Sequence, residues 1–205
     1  MYSKKVLNHF MNPRNTGEIK NPDVKITEGS LACGDMLTLY MKIDPKSHKI
    51  KKIKFKSYGC AANIATTSMM TELVKGKKIE YAKKLTFADI QKALGGLPTV
   101  KVHCSVLAID GLKSAIRSYE EKHVLVKKEP LDESLVRTRL RRVIYPKTCK
   151  DIVSMGILDK IKLGKNSVEI KLNMEKGDQF SKNVEEEVRE RLESIVKNLK
   201  IKFGA

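Results

Sequence analysis

Between Met36 and Val74 the spacing of apolar residues changes from every second position to a helical run, and this change constrains the fold more than any other feature. Leu37, Leu39, Met41 and Ile43 alternate with Met36, Thr38, Tyr40 and Lys42, as on a strand whose successive side chains face opposite ways. Asp44-Pro45-Lys46-Ser47-His48 reads as a turn and Ile50 to Tyr58 as a second strand, so the pair predicts a hairpin. Ala61 to Val74 holds Ala, Met and Leu without proline, which predicts a helix stopped near Gly76.

The remaining pattern is mostly helical. Val6, Leu7, Phe10 and Met11 make a helical stripe that Asn12-Pro13 ends, and a turn-rich stretch with Gly17 and Asn21-Pro22 follows. Phe87 to Leu94 reads as a helix closed by Gly95-Gly96, and Leu97 to Lys101 as extended, because Pro98 restricts its neighbour. Leu107, Ile109, Leu112, Ile116 and Tyr119 suit an amphipathic helix from Ser105, a residue fit to cap it, to Glu121.

The polar stretch after that helix predicts a linker at 123–130 between a first domain, 1–122, and a second, 131–205. In the second, a helix from about Asp132 to Val143, strands at Ile157–Leu163 and Ser167–Met174, and a long helix from Ser181 to Leu199 are expected. The fold class is α+β, a small antiparallel sheet with helices followed by a second small α/β domain.

Net charge is +17, with 24 basic against 11 acidic residues in 1–128 and 17 against 13 in 129–205. Much of the excess is explained by a solvated strand face, because Lys52, Lys54 and Lys56 alternate with Ile53, Phe55 and Ser57. No aromatics are interleaved for base stacking, and an acidic protein partner fits the same charge, so nucleic acid is not the expected ligand. No signal-peptide-like or membrane-spanning apolar run is seen, so a cytoplasmic protein is expected.

Four cysteines, Cys33, Cys60, Cys104 and Cys149, are too few and too far apart for a disulfide framework, which leaves thiols for metal or sulfur chemistry. Cys33-Gly34-Asp35 stands at the entrance of the first strand, where residues two apart on an extended segment face one ion. Cys60 stands where strand passes into helix, and exposed amides there favour its thiolate. His103-Cys104 lies just before the next predicted helix. Thiolates with imidazole suit zinc or an iron–sulfur cluster, and the carboxylate of Asp35 suits a cluster meant to leave. Cys149, with no neighbouring ligand, reads as an ordinary buried thiol.

At these residues the sequence resembles the IscU/NifU-type iron–sulfur scaffold family. The resemblance rests on Tyr2 to Gly17 (YSKKVLNHFMNPRNTG), Ala32-Cys33-Gly34-Asp35, Tyr58-Gly59-Cys60-Ala61 and Leu97-Pro98-Thr99-Val100-Lys101-Val102-His103-Cys104-Ser105, and spans about 1–122. It implies a three-stranded antiparallel sheet with helices packed on one face. It also implies that Cys33, Asp35, Cys60, His103 and Cys104 bind iron and a labile [2Fe-2S] cluster, or Zn2+ in the cluster-free protein. Cys104, on its loop, would accept sulfur from a pyridoxal-phosphate cysteine desulfurase, and the cluster would pass to apo-proteins.

Further implications concern partners. Tyr2 matches a tyrosine implicated in pairing of protomers into a homodimer. Leu97, Pro98, Val100 and Lys101 match the segment gripped by a DnaK-class chaperone, with Thr99 in place of the usual proline. Only 43 residues separate Cys60 from Cys104, too few for the insertion of the SufU branch. Val143 to Lys147 and Asp151 to Leu158 resemble the SufT/PaaD-type assembly domain, with Tyr145 and Lys147 replacing acidic residues beside the proline. The expectation is therefore a scaffold without enzymatic turnover. Its rivals are a zinc-binding sulfur shuttle or desulfurase regulator, and an enzyme using His103 and Cys104 as base and nucleophile, for which no oxyanion-stabilising motif is present.

Overall fold

The computed structural model describes residues 2–29, 34–126, 129–148 and 150–204, with the His103 side chain outside that description. The chain divides into two compact units, Met1–Arg117 and Ser118–Ala205.

The first unit opens with α1 (Lys4–Met11), whose amino end is capped by Ser3; the hydroxyl accepts from the Val6 N–H at 3.1 Å. Strands β1 (Val24–Gly29), β2 (Met36–Ile43) and β3 (Ile50–Tyr58) form an antiparallel sheet in that order. Register places Val24, Met41 and Ile53 in one row and Ile26, Leu39 and Phe55 in another, all buried. Lys52, Lys54 and Lys56 point to water, as the alternation requires.

The hairpin is as expected, and its turn is held by the Asp44 carboxylate, which accepts from the Lys46 and Ser47 N–H groups at 3.0 and 2.8 Å. Strand β1 falls beyond the turn residues Asn21-Pro22, and its alternation is masked because Thr27 and Glu28 are buried as well as Val24 and Ile26.

Four helices follow: α2 (Ala61–Val74), the short α3 (Ile79–Lys84), α4 (Phe87–Ala93) and α5 (Val102–Lys122). A Thr86–Asp89 capping box starts α4. The expected extended stretch 97–101 is corrected: Thr99–Lys101 is a 3-10 turn that runs into α5. Proline restricts the residue before it, whereas its own φ of −57° suits helix entry, so the chain coils directly after Pro98. His103 and Cys104 therefore belong to the first turn of α5 and not to a loop before it. Helix α5 lies close on the sheet at Gly111, where an added Cβ would stand 3.1 Å from Leu37 Cδ2 and 3.3 Å from Leu39 Cδ1.

In the second unit, the buried Glu121 carboxylate accepts from Ser194 Oγ at 2.7 Å and pairs with Arg139 at 2.5 Å. Helix α6 (Glu133–Leu140), capped by Asp132, precedes the two-residue strands β4 (Ile144–Tyr145) and β5 (Lys150–Asp151). Strands β6 (Leu158–Gly164) and β7 (Ser167–Leu172) pair antiparallel, helix α7 (Ser181–Leu192) follows, and β8 (Asn198–Phe203) pairs parallel with β7.

The expected helix from Ser181 to Leu199 is thereby shortened by seven residues. Leu199 fits a helical stripe from Val184 and also the strand alternation Leu199, Ile201, Phe203, and parallel pairing with β7 decides for the strand. A parallel pair needs a crossover, which α7 supplies.

Rows Leu158–Leu172–Phe203, Ile161–Ile170–Ile201 and Leu163–Val168–Leu199 form the apolar side of this sheet, and all of them but the exposed Leu163 join Val184, Val188 and Leu192 of α7 in one core. Ile170, on the central strand, is fully buried. Ile170→Ala is expected to destabilise the second unit by about 2–5 kcal/mol, read as a lowered denaturation midpoint. Among the described residues no helix is long and apolar enough to cross a membrane.

Candidate metal centre

Asp35 directly precedes β2, whose first residue, Met36, pairs with Tyr58 at the end of β3. The register therefore brings Asp35 against Gly59 and Cys60. Gly34 has φ +71°, a left-handed conformation that suits glycine, so the chain turns at this residue just before Asp35. Cys33 lies outside the described residues, as do Cys149 and the His103 side chain.

Cys60 is the N-cap residue of α2 and makes no side-chain cap hydrogen bond. Its N–H donates to Asp35 Oδ1 at 3.4 Å, and its Sγ lies 3.6 Å from Cys104 Sγ. The Cys104 thiol lies 3.8 Å from Asp35 Oδ2. The three ligand atoms all fall within 4.8 Å of one another. Cys104 and Asp35 are buried, whereas Cys60 is half-buried, so the thiol facing solvent is Cys60.

Two thiolates on one tetrahedral ion, with metal–sulfur bonds of about 2.3 Å, stand about 3.8 Å apart. The observed spacing of the two sulfurs matches that need, and neither is disulfide-bonded. Soft thiolates beside one carboxylate suit iron or zinc better than calcium or magnesium. The set at positions 35, 60 and 104 leaves room for further donors.

The surroundings are polar and anchored. The hydroxyl of Thr66 donates to the Cys104 carbonyl at 3.2 Å, tying α2 to the first turn of α5. Gln91 Nε2 donates to Ser105 Oγ at 3.3 Å, which joins α4 to the same turn. Ser3 Oγ donates to the Leu94 carbonyl and holds the amino end of α1 beside α4.

Tyr2 precedes that anchor; burial, with the Cys60 charge second, raises its phenol pKa. The Cys60 thiolate is also the main cause that raises Lys101 above the usual lysine range. Tyr2 and Lys101 thus stand within electrostatic reach of the thiols. Of the other residues singled out by motif, Leu97 and Pro98 are half-buried and Val100 is 76% exposed.

The sequence reading passed over Asn63 and Thr66. Asn63 is buried in the first turn of α2, and its Nδ2 donates to Ser57 Oγ at 3.1 Å. The available signal was the run Asn63, Thr66, Thr67, Ser68 and Thr71, polar residues recurring in a helix that is otherwise apolar and fully buried at those positions.

Residues 1–126 match the family model of the NifU-like N terminal domain. The chain belongs to that family. It is 52% identical over 123 residues to an iron–sulfur cluster assembly scaffold protein IscU of Archaeoglobus fulgidus, covering 60% of this chain and 79% of that one. It is 45% identical over 118 residues to the protein of the same description in Aquifex aeolicus, covering 58% of this chain and 75% of that one. A crystal structure of an iron–sulfur cluster assembly scaffold protein for the SUF system from Fervidobacterium islandicum AW-1 aligns at TM-score 0.47 and 26% identity, over 56% of this chain and 96% of that one. The NifU-like match contains all three residues of the centre, Asp35, Cys60 and Cys104.

Proposed function

We propose that this protein is an iron–sulfur cluster assembly scaffold whose cargo is built at Asp35, Cys60 and Cys104. The observation that carries this reading is the convergence of those donor atoms within 4.8 Å, inside the part of the chain that matches the family. Cys33 and His103 are proposed as further donors, completing a set for a [2Fe-2S] cluster or for Zn2+ when no cluster is held.

On this reading sulfur arrives as persulfide from a pyridoxal-phosphate cysteine desulfurase and reaches Cys104. Because Cys104 is buried in α5, its acceptance of sulfur requires the first turn of α5 to open, whereas Cys60 is already accessible. Lys101, drawn to the thiolate charge, offsets the negative charge that accumulates as sulfide and thiolates gather. Apo iron–sulfur proteins in the cytoplasm receive the finished cluster, and the protein turns over no substrate itself. Tyr2 is assigned to pairing of protomers and 97–101 to a DnaK-class chaperone. The domain at 131–205 is proposed as an assembly-factor domain of SufT/PaaD type.

The test is anaerobic reconstitution with iron, cysteine, a desulfurase and dithiothreitol as the two-electron reductant that takes persulfide sulfur to sulfide, followed by addition of an apo-ferredoxin. Visible cluster absorption that moves to the ferredoxin is the expected result. Zinc that resists iron exchange, with no transfer, would replace the scaffold by a zinc-bound sulfur shuttle or desulfurase regulator.

Asp35 supplies a hard oxygen donor that binds a cluster less firmly than a third thiolate. Asp35→Ala removes the labile oxygen position through which the cluster is released, and is expected to give a cluster that persists longer and transfers more slowly, by roughly tenfold in half-life if the barrier to release rises by about 1.4 kcal/mol. Decay and transfer rates equal to wild type would remove Asp35 from the release step.

A further inference from the structure

The sheet of the second unit sorts its residues by face. Between the apolar rows lie two charged ones, Lys160–Lys171–Lys202 and Lys162–Glu169–Lys200, and directly opposed residues on neighbouring strands share one face. All five lysines are exposed. Among the described residues two carboxylates offset them: Glu169 lies 2.9 Å from Lys202 and 3.8 Å from Lys162, and Asp159 lies 2.8 Å from Lys171. Among the described residues Lys160 and Lys200 have no salt-bridge partner.

Like charges directly opposite one another weaken a sheet, so a row of three lysines works against the fold that carries it. At the end of the same sheet opens a cleft of about 810 Å³, walled by Leu163, Val196 and Leu199 with Arg189 and Glu193 beside them, and rimmed by Lys162, Lys197 and Lys200. The cleft opens on the apolar side of the sheet, and Lys162 and Lys200 of the lysine face reach its rim.

We propose that this face docks an acidic segment of a partner protein, its carboxylates on the lysine rows and one apolar side chain in the cleft. Charge complementarity supports an anionic occupant. Three features favour a protein over a nucleic acid. The face has no aromatic side chain on which a base would stack. The recess beside it offers Leu163, Val196 and Leu199 to an apolar side chain, and its Glu193 carboxylate would repel a phosphate. Glu169 sits amid the lysines, where a peptide can place a neutral residue but a uniform phosphate chain would meet repulsion.

The test is fluorescence anisotropy of the full chain with a labelled peptide of glutamates around a central leucine, at about 0.15 M salt. The variant K160E/K171E/K202E reverses the outer row, and K52E/K54E/K56E makes the same charge change on the first unit. All six lysines face solvent on strands, and circular dichroism checks that both variants keep the fold. The outer-row variant is expected to bind at least about tenfold more weakly while the first-unit variant stays within about twofold of wild type. Equal losses in both would reduce the effect to net charge and overturn the proposal. So would an absence of peptide binding by the wild type at this salt, or displacement of the peptide by single-stranded RNA of equal total charge that binds more tightly through the same lysines.

Discussion

Cys60→Ala is expected to abolish cluster assembly while leaving the fold intact. The residue is an N-cap whose side chain caps nothing, and it is only half-buried, so truncation removes neither a helix-terminal hydrogen bond nor a fully packed group. A change in stability within about 1 kcal/mol is expected on that basis. The loss of one sulfur is different in kind, because Cys60 stands 3.6 Å from Cys104 and the pair forms the only two-thiolate arrangement among the described residues. Without it Cys104 and Asp35 offer one soft and one hard donor, a poor match for iron with sulfide. Reconstitution should then yield less than about one-tenth of the wild-type absorption per chain. Cys104→Ala should lose the cluster too, but at an additional cost of about 1 kcal/mol, because its sulfur is fully buried and leaves a void. Full cluster content in both variants would move the cargo elsewhere and remove the observation on which the scaffold reading stands.

The hairpin and the Cys60 junction were legible because each rests on a local rule. Alternation from Leu37 to Ile43 reports a half-buried strand whatever lies beyond it, and a cysteine at a strand-to-helix boundary sits at the helix N-terminus by construction. What the local rules missed was decided elsewhere. Asp35 meets the thiols through the left-handed turn at Gly34 and the pairing of Met36 with Tyr58, a contact between residues 22 positions apart. Cys104 entered a helix because Pro98 limits only what precedes it. Leu199 obeyed two periods at once, and its partner on β7 chose between them. The polar run on α2 was passed over because its partners lie far along the chain, where no local rule reaches: Thr66 donates to the Cys104 carbonyl, Ser68 accepts from the Arg14 N–H, and Thr71 accepts from Asn15 Nδ2.

Gly59→Ala is expected to act on the cluster through Asp35 without touching a ligand. Gly59 does not adopt a positive φ, so its backbone is open to any residue and space alone forbids a side chain. An added Cβ would stand 2.6 Å from Asp35 Cγ, 2.7 Å from Asp35 Oδ1 and 2.6 Å from Asn63 Nδ2. Both neighbours are buried, so neither can swing into solvent, and the overpacking should cost about 1–3 kcal/mol. The group with the weaker hold yields first. Asn63 keeps a 3.1 Å bond to Ser57, whereas Asp35 is held at Oδ1 by a 3.4 Å contact, so the carboxylate is the side chain expected to move away from Cys104. A cluster built in the variant should therefore decay and transfer slowly, as in Asp35→Ala. The double variant separates this route from a general loosening of the site: with the carboxyl already removed, Gly59→Ala should add little to the cluster lifetime. Part of the stability loss should return when Asn63→Ala clears the second collision. Additive effects of Gly59→Ala and Asp35→Ala on lifetime would mean that the glycine serves the thiols directly, and that the space it leaves is not the seat of the carboxylate.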